Sequence, residues 1–321
     1  MFFPLIFFYS SLTLSLLIIA SSNSFLCMWV GLELNILSFI PVISSLESEL
    51  LIENSVKYFL VQRLASVMFI ISSIISSLIT GTISALIILA IYAKLGVVPF
   101  HAWFMNLIRI VSLKRLFLLS TLQKLGPLII LCAFDRNLRV LIFLSFTIIV
   151  SLRSGVRRVS FNKILAASSL MNLVWIIIGG LKRGVLLTLF FSIYSFLLLA
   201  RITFFEAGGA EGLTRGGIND LWVRFMFLLS FLSLGGIPPL AGFIRKILIL
   251  KECINSFSFI FIIFLTLRSV FILVFYLRYV FCTLSNIPNT TLNPKATTFQ
   301  LFLGAIVLIR LPLSLVLFTF N

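Results

Sequence analysis

The stretch IYAKLGVVPFHAW, from Ile91 to Trp103, ends a long apolar run with residues that interrupt a membrane helix. Lys94 is followed by Gly96 and Pro99, and then by His101, the only histidine of the chain. Proline removes a backbone N–H and breaks the helical hydrogen-bond pattern. Broken backbone at membrane depth is tolerated only where protein or trapped water satisfies it. The stretch therefore predicts a broken membrane helix beside an ionisable side chain.

The composition indicates a membrane protein along the whole chain. Of 321 residues, 61% are hydrophobic and 11% are charged, against roughly 25% charged in soluble proteins. The mean hydropathy is +1.22. Apolar runs of 18 or more residues recur, and each can cross a hydrocarbon layer of about 30 Å as a helix. Because the runs do not alternate, they predict helices and not barrel strands. The predicted fold class is therefore an all-α, polytopic membrane protein.

Eleven membrane helices are predicted, and no soluble domain fits between them. The whole chain, 1–321, is therefore expected to form one integral membrane domain. The predicted helices span 3–20, 25–45, 56–78, 82–105, 115–133, 138–152, 163–180, 184–205, 222–250, 257–281 and 297–319.

Loop charge predicts the orientation and argues against nucleic-acid binding. The net charge of +16 comes mostly from short connections between apolar runs, as the positive-inside rule describes. The even-numbered connections carry Arg109, Lys114, Arg115, Arg153, Arg157, Arg158, Lys163, Arg201 and Arg215, and the odd-numbered ones carry Arg136, Arg139, Lys182, Arg183 and Lys251. The N-terminus is therefore expected on the matrix-like side and the C-terminus on the opposite side.

A second segment repeats the first interrupted one. LGVVPFHAWF (95–104) and LGGIPPLAGF (234–243) share Leu, Gly, Pro, Ala and Phe at matched positions. The two copies lie five predicted helices apart, so they should cross the membrane in opposite directions. Interrupted helices in inverted halves are typical of transport sites.

The prolines of these segments predict which carbonyl groups lose their helical partners. Pro99 should free the carbonyl of Leu95. Pro238 and Pro239 should free the carbonyls of Leu234 and Gly235.

Four ionisable residues fall inside predicted helices: Glu33, Lys94, Lys124 and Lys246. A charge at the centre of a lone membrane helix costs roughly 2.5–3.5 kcal/mol on insertion scales. One explanation is that lysines near helix ends extend to the interface. That explanation suits Lys57, Lys163 and Lys251, and it suits Lys246 in part, because Arg245 lies beside it.

The functional alternative is a proton relay. Burial favours a neutral amine, whereas a neighbouring carboxylate favours the charged form. Lys94 is the expected cation partner of Glu33. His101 fits either a second relay group or a structural hydrogen bond across the helix break. Interior polar residues serve mainly helix packing, with a few lining water: Ser66, Ser168, Ser169, Asn172 and Tyr194.

Neither a metal site nor redox chemistry is expected in the chain. The four cysteines show no metal-ligand or redox spacing. A single histidine cannot supply the paired ligands with which multi-span haem proteins bind haem.

Six ordered motifs resemble one family: WVGLELNILSFIP, SVKYFLVQRLAS, AKLGVVPFHAW, LQKLGPL, NKILAASSLMNLVW and LSLGGIPPLAGFIRK. They are similar to the motifs of the NADH dehydrogenase subunit 2 family, whose members are antiporter-like membrane subunits of mitochondrial respiratory complex I. The resemblance covers residues 23–252. It implies two inverted five-helix bundles, each with one broken helix, in the shortened animal form. The first repeat would span roughly 1–137 and the second 138–281, followed by a C-terminal helix at 297–319.

The resemblance also implies roles for individual residues. Glu33 matches the interior glutamate of the first bundle, Lys94 and Lys246 match the lysines of the two broken helices, and Lys124 matches the central lysine. His101 matches the histidine of the PFH element. At the position where many relatives carry a histidine, this chain has Asn172, and asparagine cannot take up a proton at physiological pH.

The expected function is therefore that of a core membrane-arm subunit of proton-translocating NADH:ubiquinone reductase. NADH, FMN, iron–sulfur clusters and ubiquinone would be bound by other subunits, and no cofactor by this chain. The expected partners are other membrane-arm subunits in a hetero-oligomer, together with lipids, in the mitochondrial inner membrane. Two alternatives remain open: a free-standing cation/proton antiporter and a scaffolding subunit whose interior charges pair permanently.

Overall fold

The computed structural model describes residues 2–44, 49–78, 84–134, 139–156, 161–207, 221–237, 240–254 and 259–285. All regular secondary structure in these ranges is helical, which confirms the all-α prediction. The helices are α1 Phe2–Ser21, α2 Phe25–Ser44, α3 Glu49–Leu78, α4 Ser84–Leu95, α5 Ala102–Ile110, α6 Leu113–Ser120, α7 Leu122–Phe134, α8 Arg139–Val156, α9 Phe161–Lys182, α10 Gly184–Ala207, α11 Leu221–Gly235, α12 Ala241–Ile254 and α13 Phe259–Ser285.

The first ten predicted helices all overlap helices of the structure. The third begins at Glu49, seven residues before the predicted start, because polar residues at its beginning hid it from a hydropathy reading. Three predicted helices are each two helices: α4 with α5, α6 with α7, and α11 with α12. The predicted helix at 297–319 lies outside the described residues.

Within the described ranges, five helical segments are long and apolar enough to cross a membrane. They are Phe25–Ser44, Glu49–Ser76, Leu113–Ala133, Ile164–Lys182 and Gly184–Thr203. Large apolar side chains such as Leu17, Leu64 and Phe259 lie exposed on the outer faces of their helices. This arrangement fits a multi-pass protein in lipid.

The chain divides into two compact units, Met1–Val150 and Ser151–Asn321. In the first unit, α2, α3, α4 and α7 pack together, and α1 lies against α2. In the second unit, α9 packs against α10, α12 and α13, and its residues 164–181 are all buried. Glu33, Lys94 and Lys124 belong to the first unit, and Lys246 belongs to the second.

The first helix break is a glycine turn at the end of α4. Gly96 has a φ of +72°, in the left-handed region that glycine adopts without steric cost. Its N–H donates to the carbonyl of Ala93, and the N–H of Val97 donates to the carbonyl of Tyr92. This pair of hydrogen bonds is a Schellman motif, a common way to end a helix.

The second break repeats this motif at the end of α11. Gly236 has a φ of +82°, and its N–H donates to the carbonyl of Ser233 at 3.2 Å. The N–H of Ile237 donates to the carbonyl of Leu232 at 3.3 Å. Both predicted interruptions are therefore real, and both are built from the same hydrogen-bond pattern.

The sequence alignment of the two interrupted segments is offset by one residue from the alignment of their glycine turns. The matched segments align Gly96 with Gly235, whereas the glycine with positive φ in the second break is Gly236. The next helix then starts at Ala102 in the first case and at Ala241 in the second. The second connection is thus one residue shorter. Pro238 and Pro239, which led to the prediction, lie outside the described residues.

A third break separates α6 from α7 at Thr121, which has φ −114° and ψ −82°. Its hydroxyl donates to the carbonyl of Phe117 at 2.6 Å. The sequence did not predict this break. The available signal was Gly126 and Pro127 in the next turns, because both residues disfavour a regular helix interior.

Candidate functional site

Glu33 lies in the interior of the first unit, on α2, with 7% of its surface exposed. Its carboxylate accepts a hydrogen bond from the Ser66 hydroxyl and forms an ion pair with Arg63, whose Nη1 lies 2.5 Å from Oε2. Arg63 and Ser66 stand three residues apart on α3, so they reach the same point. The prediction that Lys94 pairs directly with Glu33 is wrong, because Glu33 forms its ion pair with Arg63. Lys94 nevertheless interacts electrostatically with both Glu33 and Arg63.

Lys94 is held at the end of α4 by a reciprocal contact with Gln62 of α3. The lysine Nζ donates to the Gln62 carbonyl at 3.4 Å, and the Gln62 side-chain amide donates to the Lys94 carbonyl at 3.2 Å. Trp103 of α5 donates its Nε1–H to the carbonyl of Ala93 at 3.1 Å. Neutral side chains therefore bind two of the last four carbonyls of α4, those of Ala93 and Lys94.

Side chains bind two carbonyls that lie just before the one predicted to be freed. These carbonyls belong to Ala93 and Lys94, and the N–H of Gly96 also donates to that of Ala93. The last four carbonyls of any helix lack the usual intrahelical partners, and α4 ends at Leu95. The loss of the helical partner of the Leu95 carbonyl through Pro99 stays a prediction.

Lys124 lies in the first turn of α7, three residues after the Thr121 break, and is 3% exposed. Its Nζ lies 4.1 Å from the centroid of the Phe104 ring, a cation–π geometry. Among the described residues, that Nζ has no hydrogen-bond partner. All three buried lysines of the predicted site thus lie next to helix breaks.

A chain of buried hydrogen bonds runs beside these groups. The Tyr58 hydroxyl donates to the Gln123 side-chain carbonyl at 2.8 Å. The Gln123 amide donates to the Asn35 side-chain oxygen at 2.6 Å. This chain joins α3, α7 and α2, and it fixes the residue that immediately precedes Lys124. Its neutral members were not among the predicted site residues.

His101 lies at the start of α5 and is half-buried. Its Nδ1 lies 3.3 Å from the carbonyl oxygen of Pro99, which can accept a hydrogen bond from it. This is the local contact expected of a structural histidine at the break. Participation in a proton relay remains a prediction.

The second unit places two adjacent cations at its helix break. Lys246 of α12 donates to the carbonyl of Gly235 at 2.6 Å, and Arg245 donates through Nη2 to the carbonyl of Leu234 at 3.3 Å. These are the two carbonyls that the sequence predicted to be freed. Arg245 is 2% exposed and Lys246 is 8% exposed. The interpretation that Lys246 extends to an interface is therefore wrong.

A small polar cavity adjoins Lys246. Its polar lining comes from Ser168, Asn172, Trp175, Lys246, Ser269 and Tyr276. Among the described residues, Trp175 Nε1 and the Tyr276 hydroxyl have no hydrogen-bond partner, although both side chains are almost fully buried. Buried polar groups of this kind are commonly satisfied by ordered water. The described residues contain no group of three or more metal-ligating side chains.

The interpretation of the remaining basic residues holds in part. Lys57 is exposed and pairs with Glu53 one turn away, and Lys251 is exposed, as expected for interfacial lysines. The Lys163 side chain lies outside the described residues. Arg201, which was predicted to lie in a loop, lies within α10 and is fully buried. It therefore does not contribute to the loop charge on which the predicted orientation rests.

Residues found only in the structure are mainly the partners of the predicted ones. Arg63 and Gln62 could have been sought as further polar residues inside apolar segments, as the four ionisable residues were. Arg245 was considered only as a sign that Lys246 lies near an interface. Ser168 and Ser169 donate to carbonyls of their own helix, which agrees with a packing role.

Together, the helical fold and the buried charges at helix breaks define a multi-pass membrane protein of the transporter-like class. Comparisons with known proteins specify the family. The profile of the NADH:quinone oxidoreductase/Mrp antiporter transmembrane family matches residues 22–85 and 75–272.

Individual relatives agree with this match. The chain is 34% identical to NADH-ubiquinone oxidoreductase chain 2 of Struthio camelus, covering 95% of both chains. Its fold matches a chain of respiratory complex I from Thermus thermophilus with a TM-score of 0.84 at 19% identity, covering 97% of this chain and 78% of that one. It also matches a chain of the Mrp complex from Dietzia sp., with a TM-score of 0.72 at 18% identity and coverages of 89% and 60%.

The chain belongs to the NADH:quinone oxidoreductase/Mrp antiporter family, in the group formed by NADH-ubiquinone oxidoreductase chain 2. The family resemblance inferred from the six motifs is confirmed.

Proposed function

We propose that this chain is a membrane-arm subunit of mitochondrial respiratory complex I that takes part in proton translocation through buried lysines at its helix breaks. The observation that carries the proposal is the position of Lys94 and Lys246. Each amine lies buried within hydrogen-bond distance of a backbone carbonyl. An ammonium so placed is expensive to desolvate, and a lysine under such a cost is suited to gain and lose a proton.

The proposed mechanism needs no redox group in this chain. Glu33 and Arg63 act as charges near Lys94. A change in the position of either charge, or neutralisation of Glu33, favours uptake or release of a proton by the Lys94 amine. Lys124 is a second proton-accepting lysine of the first unit, and His101 is a further candidate for proton transfer at the helix break. Moving one charge against 100 mV requires about 2.3 kcal/mol. That free energy would come from NADH oxidation and ubiquinone reduction in other subunits.

The finer architecture is part of the proposal. It comprises eleven membrane helices, with inverted repeats at roughly 1–137 and 138–281 and a last helix at 297–319. The protein would lie in the mitochondrial inner membrane among other membrane-arm subunits and lipids, with its N-terminus on the matrix side and its C-terminus in the intermembrane space. The similar hydrogen-bond motifs at Gly96 and Gly236 support a repeat.

The test is replacement of the buried lysines in the assembled complex. Lys94→Met and Lys246→Met should each lower proton pumping and the linked rate of NADH oxidation several-fold, measured in proteoliposomes at equal complex content. Lys57→Gln is the matched control, because Lys57 is exposed and pairs with Glu53 on its own helix. Full pumping in both buried-lysine variants would refute the proposal.

A second candidate function is cation/proton antiport, which the family match to Mrp antiporters favours. It predicts that sodium or potassium gradients drive proton flux through the isolated chain in vesicles. The scaffolding alternative predicts that Lys94→Met impairs assembly, or has no effect, without a selective loss of pumping.

A further inference from the structure

Arg245 connects three helices of the second unit at the helix break. Its Nη2 lies 3.4 Å from the side-chain oxygen of Asn172 on α9 and 3.3 Å from the carbonyl oxygen of Leu234 on α11. Its guanidinium carbon lies 4.5 Å from the centroid of the Phe190 ring on α10. A planar guanidinium can donate in several directions while it stacks on an aromatic face. Arg245 therefore fixes the start of α12 against its neighbours.

The two adjacent cations of α12 hold two consecutive carbonyls of α11. Arg245 holds Leu234 and Lys246 holds Gly235. The two residues differ chemically, because a lysine can lose its proton whereas an arginine in a protein cannot. The Arg245 contact thus persists while the charge on Lys246 changes.

The Lys246 side chain packs tightly against the glycine turn at Gly236. A Cβ atom added at Gly236 would lie 2.9 Å from Nζ and 3.0 Å from Cδ of Lys246. The amine is therefore seated directly on the glycine turn. Its position depends on the distance between α11 and α12, which the Arg245–Leu234 hydrogen bond spans.

We propose that Arg245 is a positioning residue for Lys246, and that Asn172 serves as its neutral hydrogen-bond acceptor. In this arrangement the guanidinium keeps the end of α11 in register, so that the Lys246 amine stays on the Gly235 carbonyl and beside the polar cavity. Asn172 then takes no part in proton transfer. A second cation at position 172 would face the guanidinium directly, whereas an amide oxygen accepts from it. This inference rests on the proposed function of Lys246.

Three substitutions in the assembled complex test the positioning role. Arg245→Gln should lower proton pumping several-fold at unchanged complex content, and Arg245→Lys, which retains the positive charge and one donor group, should restore part of it. Arg268→Gln is the matched control. Arg268 is equally buried on α13, but its Nη2 donates to the Ser151 hydroxyl and not to the helix break. Its loss should leave pumping per assembled complex unchanged.

Combination with Lys246→Met separates positioning from general packing. If Arg245 acts through Lys246, the pair Arg245→Gln and Lys246→Met should oxidise NADH at the rate of Lys246→Met alone. Additive losses would overturn the inference. Asn172→Leu removes the acceptor and should reproduce the loss seen in Arg245→Gln, and it carries the test if Arg245→Gln fails to assemble. Full pumping in Asn172→Leu would also overturn it.

The two proposals fail in different ways. Normal pumping in Lys246→Met would refute the role of Lys246 and, with it, the role of Arg245. Loss of pumping in Lys246→Met together with normal pumping in Arg245→Gln would refute the positioning role alone.

Discussion

The two helix breaks share their backbone but differ in the groups that satisfy it. Both end a helix in a Schellman motif with a glycine at positive φ. At the first break, neutral donors from Gln62 and Trp103 hold the carbonyls. At the second, the donors are the cations Arg245 and Lys246. Similar sequence segments can therefore build one backbone feature in two electrostatic environments.

The two units also differ in the charge that lies near the buried lysine of the helix break. In the first unit, Glu33 supplies a negative charge within electrostatic reach of Lys94. In the second unit, the charge that acts on Lys246 is the positive one of Arg245. The lysine of the first unit is thus set between opposite charges, whereas that of the second unit lies beside a fixed like charge.

The largest expected effect comes from filling the space at the second break. A Cβ atom at Gly242 would lie 1.5 Å from the carbonyl oxygen of Ser233, so Gly242→Ala must push α12 away from α11. We expect a loss of more than about 3 kcal/mol of stability, seen as failure of the complex to assemble on native gels.

Gly184→Ala is the control for this substitution, because an added Cβ atom there meets nothing within 4 Å. Normal assembly of Gly242→Ala would show that the two helices are not held this closely.

The second-largest effect is expected from neutralising the Glu33 carboxylate, which distinguishes the first unit from the second. Glu33→Gln keeps an oxygen that can accept from Ser66 and Arg63 but removes the negative charge. Assembly should survive, while pumping and NADH oxidation fall several-fold. The rates are measured in proteoliposomes beside Glu53→Gln, whose carboxylate is exposed. Equal rates in the two variants would mean that the Glu33 charge has no role.

A smaller effect is expected from a neutral donor at the first break. Trp103→Phe keeps an aromatic ring but leaves the Ala93 carbonyl without its Nε1–H donor. Because the Gly96 N–H still donates to that carbonyl, the expected cost is that of one hydrogen bond, about 0.5–1.5 kcal/mol, measured as a lower midpoint of thermal inactivation. A midpoint equal to that of the unaltered complex would show that another donor replaces Trp103.

The smallest effect is expected for the exposed pair of Lys57 and Glu53. Exposed pairs one helical turn apart contribute about 0.3–0.5 kcal/mol. Lys57→Gln should therefore change neither assembly nor pumping measurably, and a clear loss of pumping would place Lys57 on the proton path.

The sequence predicted the features that depend on local chemistry. Gly96 and the paired prolines marked the two breaks, and the carbonyls of Leu234 and Gly235 were correctly expected to need new partners. The break at Thr121 was missed because hydropathy continues unchanged across it. Partners across helices could not be read from one sequence: Arg63 took the place expected for Lys94 because packing of α2 on α3 decides which side chains meet.

Ordered water around the buried lysines is the most direct test of the proton-transfer account. A map of the assembled complex that resolves water should show it within hydrogen-bond distance of the Lys246 amine, Trp175 Nε1 and the Tyr276 hydroxyl, and also between Lys94 and Lys124. The account would be contradicted by a dry interior in which the three amines contact only protein.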